Sequence, residues 1–154
     1  MPDICEIGVG CLDFGDYMIK LDLSESEMLV RKALEARDEA YSPYSGFCVG
    51  AALLCSDGEV FTGVNVENGS YGATICAERS AFCSAISAGK RDFSAIAIVG
   101  AERGRAPDKI CPPCGICRQF MSEFCGQDFA VLLYDGQAVI GKTLGELLPE
   151  AFQL

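Results

Sequence analysis

Histidine is absent from this chain of 154 residues, and so is tryptophan. Without histidine there is no Ser-His-Asp triad, no Cys-His pair and no imidazole ligand for a metal. Proton transfer and nucleophilic attack fall to Cys, Glu, Asp, Lys or Tyr. Positive charge is scarce too. Twelve Lys and Arg face 22 Asp and Glu, for a formal net charge of −10. The nearest thing to a basic run is Arg103 to Arg105, with a glycine between. Nucleic acid and anionic membrane surfaces are therefore poor partners, and a small neutral substrate is the easier expectation. No apolar run reaches the length of a membrane span. The N-terminus carries Asp3 and Glu6 where a signal peptide would need basic residues.

Ten cysteines stand against these absences. Several fall inside apolar stretches (Cys48, Cys55, Cys83, Cys125) rather than framing loops. That pattern fits a reducing cytoplasm, with most thiols acting as small buried hydrophobes. Half the residues are apolar, enough for one domain with a core of its own.

Residues 1–23 show no period and read as an irregular N-terminal extension. From Ser24 the pattern sharpens. Ser24 and Glu27 have capping-box spacing, and apolar residues recur at helical spacing to about Tyr41. Phe47 to Cys55 reads as a buried strand, Ser56-Asp57-Gly58 as a hairpin turn, and Glu59 to Val66 as its partner. A helix over about 74–88, ended by Gly89, precedes a strand from Ser94 to Gly100. A helix from about Cys114 to Phe124, strands over 129–134 and 138–140, and a short helix from about Thr143 complete the chain. The order predicts an α/β domain over 24–154, a mixed sheet covered by helices on both faces.

Two short segments carry the chemistry: Cys76-Ala77-Glu78, and Pro113-Cys114-Gly115-Ile116-Cys117. Both fall at predicted helix starts, where partial positive charge favours thiolate over thiol. Three thiolates hold a zinc ion and leave its fourth position open to water, and a carboxylate that is not a ligand can move protons for that water. Arg79 and Arg118 each follow a cysteine cluster closely, and either could hydrogen-bond a sulfur. Glu78 alone would read as a glutamate stabilised by the helix dipole. Other readings compete. The cysteines could be core residues. Cys111-Pro-Pro-Cys114 could be a thiol-redox pair, though that leaves Cys76-Ala-Glu78 unexplained. Cys111, Cys114 and Cys117 have part of an iron–sulfur spacing but lack a fourth cysteine at the right distance.

The motifs Tyr44-Ser45-Gly46-Phe47-Cys48-Val49-Gly50-Ala51-Ala52-Leu53, Asn65-Val66-Glu67-Asn68, Cys76-Ala77-Glu78-Arg79 and Pro113-Cys114-Gly115-Ile116-Cys117-Arg118-Gln119 together resemble the small cytidine deaminases with all-cysteine zinc ligands. The resemblance covers about Leu29 to Phe152. It implies a three-layer α/β/α fold around a mixed sheet of about five strands. It implies one zinc per chain on Cys76, Cys114 and Cys117, with Glu78 as the proton shuttle, as zinc deaminases use in general. By the same resemblance Phe47 packs against the pyrimidine. Asn65 and Glu67 bind the ribose 3′-hydroxyl, and the Ala77 backbone contacts the base. Relatives are usually homotetramers with shared sites, and Tyr71 and Phe152 match positions that reach across subunits. The implied reaction is deamination of cytidine and 2′-deoxycytidine in pyrimidine salvage. The blasticidin-type nucleoside deaminases are the alternative within the superfamily, and the Asn65 and Glu67 pair and Phe47 argue against them. The extension over 1–23 and Cys111 depart from the family pattern.

Overall fold

A computed structural model describes residues 21–154. The predicted extension over 1–23 lies almost wholly outside them. The cap of the first helix, α1 (Leu23–Arg37), lies two residues before the predicted one. Asp22, not Ser24, is the N-cap. Its carboxylate accepts the Glu25 N–H at 2.7 Å while Glu25 accepts the Asp22 N–H. An acid one turn before another acid makes the same reciprocal cap as Ser with Glu. The helix also ends at Arg37, short of Tyr41, because the Tyr41 N–H bonds the Asn65 carbonyl at 3.0 Å.

The remaining elements follow the predicted order. They are β1 (Phe47–Cys55), β2 (Val60–Val64), a 3-10 turn (Tyr71–Ala73), α2 (Ala77–Ser87), β3 (Phe93–Glu102), α3 (Gly115–Phe124), β4 (Ala130–Tyr134), β5 (Val139–Thr143) and α4 (Leu144–Leu147). One five-stranded sheet runs in the order β2-β1-β3-β4-β5. All its pairings are antiparallel except β3 with β4, which are parallel and joined through α3. The mixed sheet and three layers agree with the expected α/β/α architecture.

Alternation along the strands builds two cores. Ala52 and Leu54 of β1, with Ala95, Ala97 and Val99 of β3, face Leu29, Val30 and Ala33 of α1. Ala51, Leu53, Ile96 and Ile98 face Ala81, Phe82 and Met121 on the other side. Phe82 is fully buried there, its ring 5.0 Å from Phe93 and 6.0 Å from Phe120 in edge contacts. Such a side chain contributes about 1.5–3 kcal/mol by burial alone.

Two glycines let the helices close on the sheet. A Cβ on Gly50 would stand 2.0 Å from the Ala33 carbonyl oxygen of α1. One on Gly63 would stand 2.3 Å from the Ala81 nitrogen and 2.4 Å from the Ala77 oxygen of α2. Gly63 thus sets how near the start of α2 lies to β2. Cysteine burial is only partly as predicted. Cys48 and Cys55 are buried and Cys125 is half-buried, but Cys83 is exposed on the outer face of α2.

Candidate metal centre and active site

Both site cysteine clusters lie at helix starts, as predicted. Cys76 is the N-cap of α2, and Cys114 is the N-cap of α3, where its sulfur accepts the Cys117 N–H at 3.4 Å. The start of α2 comes later than predicted because Ile75 is committed elsewhere. Its N–H and C=O both bond Val66, which holds residues 74–76 extended until the chain turns at Cys76.

The sulfurs of Cys76, Cys114 and Cys117 lie within 4.8 Å of one another, and those of Cys76 and Cys114 are 3.7 Å apart. Sulfurs sharing a tetrahedral zinc stand about 3.8 Å apart, so the trio fits the ion. Cys117 is buried, Cys76 half-buried and Cys114 exposed, so the cluster is open on one side. It has three sulfurs and, among the described residues, no fourth ligand. A closed structural site would have four.

The Cys76 thiol is pulled down to about 5 by the hydrogen bond from Cys117, helped by Arg79 and Cys114 against the opposing cost of burial. The same pairing with Cys76, together with burial, pushes the Cys117 thiol up. Arg79 Nη2 reaches the Cys76 sulfur at 3.9 Å and the Thr74 carbonyl at 3.1 Å. Arg118 does not take the predicted place at a sulfur. Its Nε donates to the Pro113 carbonyl at 2.8 Å and its Nη1 to the Leu147 carbonyl at 2.7 Å. It fixes the turn before Cys114 against the end of α4. A carbonyl-rich loop end offered it better acceptors than a thiol.

Glu78 is 4 % exposed in the first turn of α2, with Cys117, Cys76 and Arg79 around it. Burial pushes its carboxyl up to about 7, and the Cys76 charge adds to the rise. A carboxyl poised near neutrality can both take and give a proton. Cys111 lies on the same side. Burial raises it to about 11, with Glu78 and Cys76 adding. It also sits where a Cβ on Gly100 would meet its sulfur at 2.7 Å and the Phe47 ring at 2.8 Å. Gly100 was not singled out by sequence. Only the register of β3 against β1, which sets Gly100 opposite Val49, brings it beside Phe47.

The Asn65 side chain extends the β1–β2 ladder past its last residue pair. Its Oδ1 accepts the Val49 N–H at 2.8 Å and its Nδ2 donates to the Phe47 carbonyl at 2.9 Å. The amide therefore holds the strand end that carries Phe47. Glu67 accepts the Tyr44 and Ser45 N–H groups and the Ser45 hydroxyl. The hydroxyl bond is the main cause holding its carboxyl below the ordinary range. Ser45 was quoted only as part of a motif, and its role in binding Glu67 had no signal in the sequence. Glu67 lines a cavity of about 430 Å³ with Tyr44, Ser45, Asn68, Tyr71 and Thr74. Ala77 is buried at the first position of α2. Tyr71 is 80 % exposed at the outer lip of the cavity and Phe152 66 % exposed. Gln119 of α3 donates to the Phe152 carbonyl at 3.2 Å.

Residues 23–133 match the zinc-binding region of the cytidine and deoxycytidylate deaminases. The chain is 50 % identical over 129 residues to a cytidine deaminase of Halalkalibacterium halodurans, covering 83 % of this chain and 94 % of that one. A blasticidin-S deaminase of Bacillus cereus is 33 % identical over 104 residues, 66 % of this chain and 74 % of that one. Among solved structures, the cytidine deaminase of Burkholderia pseudomallei superposes with a TM-score of 0.75 at 48 % identity, over 81 % of this chain and 97 % of that chain.

Proposed function

The chain belongs to the cytidine and deoxycytidylate deaminase family and hydrolytically deaminates cytidine, and from that premise we propose how its residues divide the work. Cys76, Cys114 and Cys117 hold one zinc ion per chain. The observation that carries this is the trio of sulfurs at two helix starts, with one side open and no fourth ligand among the described residues. Bound there, zinc supplies a Lewis acid that makes water a nucleophile at neutral pH.

Glu78 is the proton carrier. It takes one proton of the attacking water and gives it to N3 of the base, then takes the second from the hydroxyl added at C4 and gives it to the amine, which leaves as ammonia. Its burial beside Cys76, in a chain without histidine, supports the assignment. Phe47 packs on the pyrimidine ring and the Ala77 backbone meets the base. Asn65 has one N–H and a lone pair left after binding β1, and these suit a sugar hydroxyl. Glu67, held ionised, accepts the 3′-hydroxyl and, in a closed site, disfavours a 3′- or 5′-phosphate. Arg79 steadies the Cys76 charge, and Arg118 steadies the turn that presents Cys114.

Contacts to the 3′-hydroxyl alone admit both cytidine and 2′-deoxycytidine, in pyrimidine salvage in the cytoplasm. Residues 24–154 form the catalytic domain, with 1–23 as an extension. The working form is a homotetramer in which Tyr71 and Phe152 close a neighbour's site. The test is loss of ultraviolet absorbance with cytidine, 2′-deoxycytidine and CMP, with and without a zinc chelator. Turnover of both nucleosides, not of CMP, and its loss with the metal are expected. Turnover that survives complete zinc removal would overturn the metal assignment.

A further inference from the structure

We propose that Arg37 and Arg103 form a binding pocket for a small monovalent oxyanion of the carboxylate type, on the α1 side of the sheet. The pocket is a cavity of about 40 Å³ lined by Arg37, Asp38, Cys48, Arg103 and Gly104. One water needs about 10–15 Å³ of such space, so it has room for about three, the footprint of a small planar oxyanion.

The donors are unspent. Arg37 is only 9 % exposed, and its Nη1 is buried with no hydrogen-bond partner and almost no accessible surface, so an anion in the cavity meets it only after the guanidinium turns toward the cavity. Native proteins rarely leave a buried guanidinium nitrogen unpaired, because the desolvation is uncompensated. Its Nη2 reaches only Asp38, at 3.9 Å. The Asp38 side chain is 68 % exposed, turned largely to water. Arg103 spends Nη2 on the Ala40 carbonyl and the Ser42 hydroxyl, both at 3.0 Å. Its Nε and Nη1 have no partner among the described residues.

Charge selects the ligand class. Two guanidinium groups against one carboxylate leave one net positive charge in the lining. A monovalent anion neutralises it, and a planar carboxylate matches the guanidinium fork where a spherical halide does not. In a chain with net charge −10, such a local positive site is the exception. It lies apart from the three sulfurs, and its test reads no deaminase activity.

Potassium formate is titrated into the full chain, following heat and Tm, with potassium chloride at equal ionic strength as reference. Saturable binding is expected, with Tm raised by about 5 °C at ten times the dissociation constant. Asp38→Asn should tighten formate about threefold by removing the competing acid. Arg37→Met should weaken it at least about tenfold. A formate effect no larger than that of chloride means the pocket holds water only, and the proposal falls. It falls equally if folded Arg37→Met binds formate like the parent. Should that variant not fold, the exposed Asp38→Asn decides, and an unchanged affinity overturns the pocket.

Discussion

In the proposed reading Glu78 is the residue on which the chemistry turns, because no other described acid is buried beside the sulfurs. Glu78→Gln keeps the shape and the metal ligands but cannot carry a proton. It should retain one zinc per chain by metal analysis and lose about 10²–10⁴ in kcat, the usual worth of a positioned general base. Near-normal turnover in that variant would sink the assignment. Asn65 tests a different division of labour. Its amide both holds β1 and faces the sugar in the proposed reading, so Asn65→Ala should raise KM for cytidine and also lower stability. The loss should be about 1 kcal/mol or more in urea melts, since a part-buried N–H and a carbonyl lose their partners. A KM change without a stability change would leave Asn65 as a ligand contact only. The three cysteines and Glu78 were legible in the sequence because metal chemistry allows few residue types at few spacings. Ser45 and Gly100 were not. Their roles arise from pairings across the sheet, between residues 22 and 53 positions apart.

Elements position this site more than loops do. The starts of α2 and α3 carry all three sulfurs, and α2 rests on β2 at Gly63. Gly63→Ala and Gly50→Ala make a paired experiment. Each drives a Cβ into helix backbone, which cannot swing away like a flexible side chain, so each should cost at least about 1–3 kcal/mol. Their effects on zinc should differ. Gly63→Ala pushes the helix start that carries Cys76 and should weaken zinc affinity in a chelator competition. Gly50→Ala pushes α1, which carries no sulfur, and should leave zinc affinity unchanged in whatever fraction folds. Equal weakening in both would mean that global loosening governs the metal. Element type and order were readable from periodicity, whereas ends were less so. Helix α1 begins with Asp22 because an acid caps as well as a serine. The predicted strand 59–66 stops at Val64 because a side chain, Asn65, takes over the ladder. Such substitutions of one hydrogen-bond donor or acceptor for another leave no periodic trace.

At the scale of the whole molecule, charge and exposed apolar surface set the behaviour. Asp135 is held below its ordinary range by the Ala138 and Gln137 N–H groups, and Glu146 by the Thr143 N–H. A carboxylate lowered by folding gives stability that is present above its unfolded pKa and is lost as pH falls through the folded one. The share of stability due to these two carboxylates should therefore be constant from neutrality to about pH 5 and fall below about pH 4, read as the difference between parent and variant melts. Asp135→Asn should reduce that acid dependence. The exposed apolar groups make the last case. Tyr44, Tyr71, Ile116 and Phe152 are each more than half exposed, and Tyr44 and Tyr71 line the same cavity as Glu67. Leaving large apolar side chains in water around this cavity costs stability that a neighbouring copy would recover. If neighbours close each other's sites, Tyr71→Asp with Phe152→Asp should yield smaller species in sedimentation. These should keep three free thiols or one zinc per site, yet lose turnover, because the change strikes the lid and not the sulfurs. Dissociated chains that deaminate cytidine at the parent rate would show that each chain closes its own site. If neighbours close the sites, the parent enzyme should, conversely, lose specific activity on dilution below its subunit dissociation constant, and that loss should be reversed by concentrating it again.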